Sequence, residues 1–324
     1  MPKVSVIIPI YGVEKYIIRC AKSLFEQTLD DIEYLFIDDC TPDCSIEILK
    51  DILEQYPYRK AQARIVRMPK NSGQAAVRQL GIKLATGKYL IHCDSDDWVD
   101  KQIYEKLYNE AIENDFDVVF CDYYNSDGIN HYPVKQNFKE LSKEKLIFTI
   151  AQNNYWHLWG ALVKKDVFTN NSIIYPKSNN GEDFAIMLQV IYYTNKFKHL
   201  KEPLYYYYYN SNSITNKPTY ESYIKRTNQS SNNTNLIIDF FKRNNLEHKY
   251  QDIILMFKLY CRAHMAPLSH IKEYKKIWYA IYPELEQIHF IFNRNIPINL
   301  KINYLSVVTN TYQILKQIQV LLRK

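Results

Sequence analysis

Val4-Ser5-Val6-Ile7-Ile8-Pro9-Ile10 is a continuous β-branched run of the kind found in strands buried on both faces, with Pro9 marking its end. A strand of that kind needs sheet neighbours on both sides and helices above and below, which commits the chain to a layered α/β arrangement. Tyr16, Ile17, Cys20, Leu24 and Phe25 then recur at helical spacing within residues 14–28, and Glu33-Tyr34-Leu35-Phe36-Ile37 is a second strand that stops at Asp38-Asp39. The alternation continues with a helix over Cys44 to Tyr56, a strand over Arg64 to Met68, a helix over Gln74 to Ala85 and a strand over Lys88 to Cys93. A helix over Lys101 to Asn114 and a strand over Asp117 to Asp122 extend it. The predicted fold is α/β, a doubly wound, mostly parallel sheet with helices on both faces.

Beyond Asp122 the sequence is irregular and polar to about Asn137. Residues 141–153 read as a helix, Trp159 to Val163 as a short strand, Glu182 to Tyr193 as a helix, and Leu204 to Tyr209 as a strand of five tyrosines. From about Glu221 the pattern is helical and basic, so the expected boundary divides residues 1–220 from a helical segment, 221–324. Charge follows the same division: residues 231–324 hold 13 Lys/Arg against 6 Asp/Glu, a sum of +7, while the whole chain sums to +6. No nucleic-acid partner is expected from so modest a total. The strand pattern begins at Lys3, leaving no room for a signal peptide, and no apolar stretch of about 18 residues is present to span a bilayer, so a cytoplasmic protein is expected. The 6 cysteines show neither CxxC pairs nor histidine partners at ligand spacing, which argues against zinc and against a disulfide framework.

The chemistry concentrates where strands end. Tyr89-Leu90-Ile91-His92-Cys93 runs straight into Asp94-Ser95-Asp96-Asp97, and clustered carboxylates at the end of a buried strand point to a cation. Oxygen-only ligands select Mg²⁺ or Mn²⁺, which keep one or two carboxylates and take the rest of their shell from water and phosphate. On an extended chain Asp94 and Asp96 would share one side. Pro9/Tyr11, Asp38/Asp39 and the aspartate cluster all fall at carboxyl ends of strands, the edge at which open α/β sheets bind ligands.

Four segments in this order resemble family 2 glycosyltransferases of the GT-A fold: Val4 to Tyr11, Ile37-Asp38-Asp39-Cys40-Thr41-Pro42-Asp43, Asn71-Ser72-Gly73 with Ala76 to Gly81, and Asp94-Ser95-Asp96-Asp97. The resemblance covers roughly residues 3–215. It implies a UDP-sugar donor held over a nucleotide-binding part of about 1–125, an acceptor part of about 126–220, and inversion at the anomeric carbon, as in bacterial enzymes of surface polysaccharide synthesis. Residue by residue, it places Pro9, Tyr11 and Glu14 in the loop that cradles the nucleotide, Tyr11 stacking on uracil. Asp39 is the acceptor for the base N3–H with Asp38 beside it, although an Asx-type turn after the strand accounts for that pair equally well. Arg78 serves the diphosphate or the acidic cluster; Asp94 and Ser95 serve the donor, and Asp96 the metal. Family members usually have Asn after the loop tyrosine and Gly-Ser after the Asp pair, where this chain has Gly12 and Cys40-Thr41.

Inversion requires a base on the acceptor hydroxyl. Asn180-Gly181-Glu182-Asp183-Phe184 resembles the family's Glu-Asp motif, which implies Asp183 as base with Glu182 tuning it or binding acceptor; a carboxylate at a helix start is also an ordinary capping choice. Trp159 and Ser213 match positions near the acceptor and donor sugar; His157 and His199 could assist there, although a lone histidine is more often structural. Two other functions remain: a sugar-nucleotide nucleotidyltransferase, which lacks here the basic glycine-rich first loop it needs, and a non-catalytic carbohydrate-binding protein on a degenerate transferase fold. The C-terminal segment is expected to pack on the catalytic domain, to pair in a homodimer, or to touch the inner face of the membrane, where a lipid-linked acceptor would lie.

Overall fold

A computed structural model describes residues 1–136, 138, 141–209 and 219–321 of the chain. The first of two compact units comprises Met1–Ile147 and Tyr155–Ser211. In it β1 (Val4–Ile10), α1 (Ile17–Phe25), β2 (Ile32–Asp38), α2 (Ser45–Glu54), β3 (Ala63–Arg67), α3 (Gln74–Leu84) and β4 (Tyr89–His92) alternate as the apolar runs require. These strands lie side by side in the order β3-β2-β1-β4, all parallel, with Val4 opposite Ile32 on one flank and Tyr89 on the other. The chain moves outward from β1 to β3 and then crosses to the far side of β1. The carboxyl ends of β1 and β4 therefore flank a topological switch point.

The chain continues through β5 (Trp98–Val99), α4 (Ile103–Glu113), β6 (Val118–Ser126), β7 (His131–Val134), α5 (Lys143–Asn153), β8 (Ala161–Lys164), α6 (Lys165–Thr169), α7 (Glu182–Tyr193) and β9 (Phe197–Tyr208). The sheet extends as β4-β8-β6-β9-β5, in which β6 and β9 run parallel and the other neighbours antiparallel. The α/β class is as the sequence implied, and the parallel pairing fills the half built from successive βα units. Within the stretch read as irregular lies a hairpin, β6–β7. Its turn is held by Asp127 Oδ1, which accepts the amides of Ile129 and Asn130 at 2.9 and 2.7 Å, and Pro133 is accommodated because β7 is an edge strand. The tyrosine strand starts at Phe197, and its register against β6 shifts between Cys121 and Tyr123, where Pro203 opposes Asp122 without an N–H to give. Trp159 sits in a 3-10 turn just before β8 rather than in the strand.

The second unit comprises Phe148–Asn154 and Asn212–Lys324 and is helical: α8 (Tyr220–Arg243), α9 (Gln251–Met265), α10 (Lys272–Ala280), α11 (Ile298–Val308) and α12 (Tyr312–Leu321). Thr219 and Ser222 form a capping box that starts α8. Phe240, Phe241, Tyr250, Met256, Trp278 and Tyr304 are buried in its core. Arg262 is buried there too, donating to the carbonyls of Tyr279, Ile281 and Tyr282 at 3.0, 2.7 and 3.1 Å with its guanidinium over the Trp278 ring. No helix among the described residues is long and apolar enough to cross a membrane.

Candidate active site at the carboxyl edge of the sheet

The loops after β1 and β2 are stitched together by hydrogen bonds. Gly12 N–H donates to Thr41 Oγ1 at 2.8 Å, Val13 N–H to Ser45 Oγ at 3.1 Å and Glu14 N–H to Asp43 Oδ2 at 2.9 Å, while Glu14 Oε2 accepts from Cys44 N–H at 3.3 Å. Burial raises the Asp43 carboxyl, but hydrogen bonds from Ser45, Thr41 and the Glu14 amide outweigh it and hold the group below the usual carboxylate range. Asp38 is buried and builds the loop: Oδ1 accepts from Thr41 N–H, three residues on, at 2.8 Å, and Oδ2 pairs with Arg67 at 3.1 Å. Cys40 occupies the left-handed region at φ +57°, where a glycine is unstrained, and its thiol reaches the Met68 carbonyl at 3.1 Å. A non-glycine residue in that region costs about 1–2 kcal/mol. Tyr11 projects from this framework 47 % exposed.

Asp39 is buried, and its two oxygens accept the amides of Ser72 and Gly73, each at 2.7 Å. The carboxylate expected to read a base is therefore also the anchor of the Asn71-Ser72-Gly73 turn. That turn starts α3 and is closed from the far side by Asn179, whose Oδ1 accepts from Ala75 N–H at 3.1 Å. Gly73, at φ +83°, is required here, since a Cβ would lie 2.0 Å from the Asn179 amide nitrogen. Asn179 is 104 residues from Ala75 and carries no local signal, so sequence reasoning missed it.

One turn along α3, Arg78 is buried between two acidic groups. Its Nη2 donates to Asp94 Oδ1 at 3.0 Å and its Nε lies 3.6 Å from Glu182 Oε1. Nε and Nη1 find no hydrogen-bond acceptor among the described residues. Burial opposes the charge, but Asp94, Glu182 and Asp183 hold the guanidinium protonated.

Residues 94–97 are a turn rather than extended chain, because Asp97 N–H donates to the Asp94 carbonyl at 3.1 Å. The period-two argument for Asp94 and Asp96 accordingly does not apply, and the turn is placed by other contacts. Ser95, expected at the nucleotide, donates its hydroxyl to the Pro9 carbonyl at 2.6 Å and so ties the turn to β1. Arg19 of α1 donates from Nη2 to the Asp96 carbonyl at 3.0 Å, with its guanidinium 3.7 Å from the Trp98 ring and 4.5 Å from that of Tyr208. Asp97 is buried, with Tyr205 OH donating to one oxygen at 2.6 Å and Tyr208 N–H to the other at 2.7 Å. Burial, with Asp96 and Asp94 nearby, pushes its carboxyl well above the usual range. The third aspartate fastens the turn to β9; Asp94 and Asp96 remain partly accessible.

Glu182 and Asp183 open α7 after Gly181, whose φ of +85° suits glycine. Burial and the neighbouring Asp183 push Glu182 up to about 8 against the pull of Arg78. Burial also raises Asp183, opposed by Arg78 and by the Phe184 amide, which donates to its Oδ1 at 2.8 Å. The sheet edge thus brings together Arg78, Asp94, Glu182 and Asp183. Trp159 is buried in the core, stacked on Tyr205 at 4.2 Å and on His157 at 4.4 Å, with the exposed Tyr207 ring parallel to it at 5.9 Å. His157, lowered to about 4 by burial, and His199, paired with buried Asp122 at 2.8 Å, are structural. Ser213 lies outside the described residues.

Among the described residues no group of three or more histidine, cysteine or carboxylate side chains forms a metal cage. What Asp94 and Asp96 offer is one or two carboxylates of purely oxygen character, a donor set that suits a hard divalent ion completed by phosphate and water.

A sheet crossing over between β1 and β4, with acidic residues and a buried arginine at that crossover, is a fold of the GT-A type. Over 98 % of its length the chain superposes on 91 % of Staphylococcus aureus TarS 1–349, solved in complex with UDP-GlcNAc, with a TM-score of 0.60 at 17 % identity. It also superposes, over 96 % of its length and 87 % of the other chain, on the mannosyltransferase PcManGT from Pyrobaculum calidifontis in complex with GDP-Man and Mn²⁺, with a TM-score of 0.56 at 12 % identity. The model of glycosyl transferase family 2 matches residues 5–168, and the chain belongs to that family. Among curated relatives, the uncharacterized glycosyltransferase EpsJ of Bacillus subtilis is 32 % identical over 71 % of this chain and 68 % of its own. The poly(ribitol-phosphate) beta-glucosyltransferase of Bacillus spizizenii is 29 % identical over 64 % of this chain and 32 % of its own.

Proposed function

We propose that this glycosyltransferase moves a sugar from a UDP-sugar, with inversion, to a hydroxyl of a glycan or lipid-linked glycan in bacterial surface polysaccharide synthesis, working in the cytoplasm. The observation that carries the reading is the convergence of Asp94 and the Glu182-Asp183 helix start on buried Arg78, beside the loops of Tyr11 and Asp39. The UDP-GlcNAc complex of TarS and the glycopolymer named for the Bacillus spizizenii enzyme support the donor and acceptor classes.

In this reading Tyr11 stacks on uracil and Asp39 accepts N3–H with a lone pair left over from its two backbone bonds, since an ionised carboxylate has about four such sites. Arg78 pairs with Asp94 at 3.0 Å and adds positive charge beside the diphosphate. Asp96, with Asp94 beside it, would hold one Mg²⁺ or Mn²⁺, an ion that when bound neutralises charge on the departing diphosphate. Asp183 takes the acceptor proton: burial raises its basicity, and the Phe184 amide fixes one of its oxygens. Glu182, pushed up by burial and by Asp183 and pulled down by Arg78, is the neighbour that tunes Asp183. Tyr207, backed by the Trp159 stack, offers the sugar an exposed ring.

The test is UDP release from a panel of UDP-sugars with Mn²⁺ or Mg²⁺ and glycan acceptors. Asp183→Asn is expected to cut transfer about 10²–10⁴-fold while UDP binding persists. No UDP release from any donor with either ion, or undiminished transfer by Asp183→Asn, would overturn the assignment.

A further inference from the structure

α11 is apolar on two opposite sides. Leu300, Tyr304 and Val307 are buried in the second unit, whereas Ile298, Ile302 and Leu305, spaced four and three residues apart, face solvent. A helix that is hydrophobic all round is ordinarily covered all round. α12, joined to α11 by a short turn, repeats the feature with Ile314, Ile318 and Leu321 exposed, and Phe292, ahead of α11, is 84 % exposed. So long a run of uncovered large side chains marks an interaction surface.

Charge selects what covers it. Residues 287–324 contain 5 Lys/Arg, namely Arg294, Lys301, Lys316, Arg323 and Lys324, and no Asp or Glu. Lys275 of α10 adds a cation at the turn between the two helices, its Nζ donating to Asn310 Oδ1 at 2.6 Å. A twofold dimer through α11 and α12 would set Lys301 and Lys316 against their own copies, with no carboxylate on either helix to compensate. An anionic lipid surface instead takes the apolar stripes into its acyl boundary and pairs the lysines and arginines with headgroups. We infer that α11 and α12 dock this enzyme on anionic membrane through Phe292, Ile298, Ile302, Leu305, Ile314 and Ile318. The surface belongs to the second unit and uses none of the groups assigned to sugar transfer.

The test is co-sedimentation of the full-length protein with phosphatidylcholine vesicles, with and without phosphatidylglycerol. Binding is expected only with phosphatidylglycerol, and about tenfold weaker at about 1 M salt, where the Debye length shrinks to about 3 Å. Ile302→Asp with Leu305→Asp, or Ile314→Asp with Ile318→Asp, should each lower vesicle binding about tenfold or more, with Tm and donor-dependent UDP release unchanged because those side chains are exposed. Equal binding to neutral vesicles, or undiminished binding by both double variants, would overturn the inference. So would a wild-type dimer, seen by light scattering, that either double variant splits while vesicle binding is absent: the occupant would then be a second copy. Loss of UDP release with vesicle binding intact would count against the transferase assignment alone.

Discussion

Asp39→Asn separates two tasks that fall on one carboxylate. In the free protein each oxygen of buried Asp39 accepts one backbone N–H, from Ser72 and Gly73, both at 2.7 Å and both partly buried. A hydrogen bond to a charged acceptor contributes about 1.5–3 kcal/mol. Asparagine keeps one neutral acceptor and turns an NH₂ toward the other amide, so one charged bond is lost, the second weakened, and two donors are forced together. The loss is roughly 3 kcal/mol, a large share of the about 5–15 kcal/mol that holds a domain together. At about 2–4 °C per kcal/mol, Tm should fall by roughly 6–12 °C in the absence of any ligand. The assays are thermal unfolding by circular dichroism and UDP binding by calorimetry, with UDP affinity expected to drop at least about tenfold because the turn and the base acceptor fail together. An unliganded Tm within about 1 °C of wild type would refute the reasoning, since the carboxylate would then matter only to the nucleotide.

Arg19→Met removes the cation over Trp98 and the donor to the Asp96 carbonyl; the donor KM should rise about five- to tenfold with a smaller change in kcat, and Arg19→Lys should recover part of it in initial-rate measurements. Gly73→Ala drives a methyl group into Asn179 at a positive φ and should lower Tm by several degrees, read by differential scanning calorimetry. Glu182, raised from 4.5 to about 8, contributes stability that is complete below its unfolded value and is lost as pH climbs through the folded one. Wild-type urea midpoints should therefore decline between about pH 5 and pH 8.5, and Glu182→Gln should shrink that decline without abolishing it, because Asp183 and Asp97 are shifted the same way.

The parallel half of the sheet was legible because β1, β2 and β4 are buried apolar runs followed by polar residues at their carboxyl ends, a pattern that depends only on near neighbours in sequence. The β6–β7 hairpin was not, since an edge strand half exposed to water and containing Pro133 lacks the apolar run that would announce it. The acidic motifs stood out as residue types, but their division of labour did not. Asp94, Ser95, Asp96 and Asp97 are adjacent in sequence, yet one pairs with Arg78, one with the Pro9 carbonyl and one with Tyr205, choices settled by chain segments 16 to 108 residues away. Asn179 and Arg19 were missed for the same reason: an amide before a helix and an arginine within one look ordinary until the fold brings Gly73 and Trp98 to them.

The position of Asp97 bears on how any mutational scan of this enzyme is interpreted. Its oxygens are both taken by β9, so replacing it removes two of the bonds that place the turn, leaving the Asp94 N–H on Tyr205 OH and the Ser95 hydroxyl on the Pro9 carbonyl, and loosens Asp94 and Asp96 without touching either. Scored by turnover alone, three aspartates would register as three equal ligands. Scored by turnover alongside urea unfolding, Asp97 separates from its neighbours: its replacement should weaken the apoprotein, while exchanging half-exposed Asp96 should leave the apoprotein intact and silence transfer.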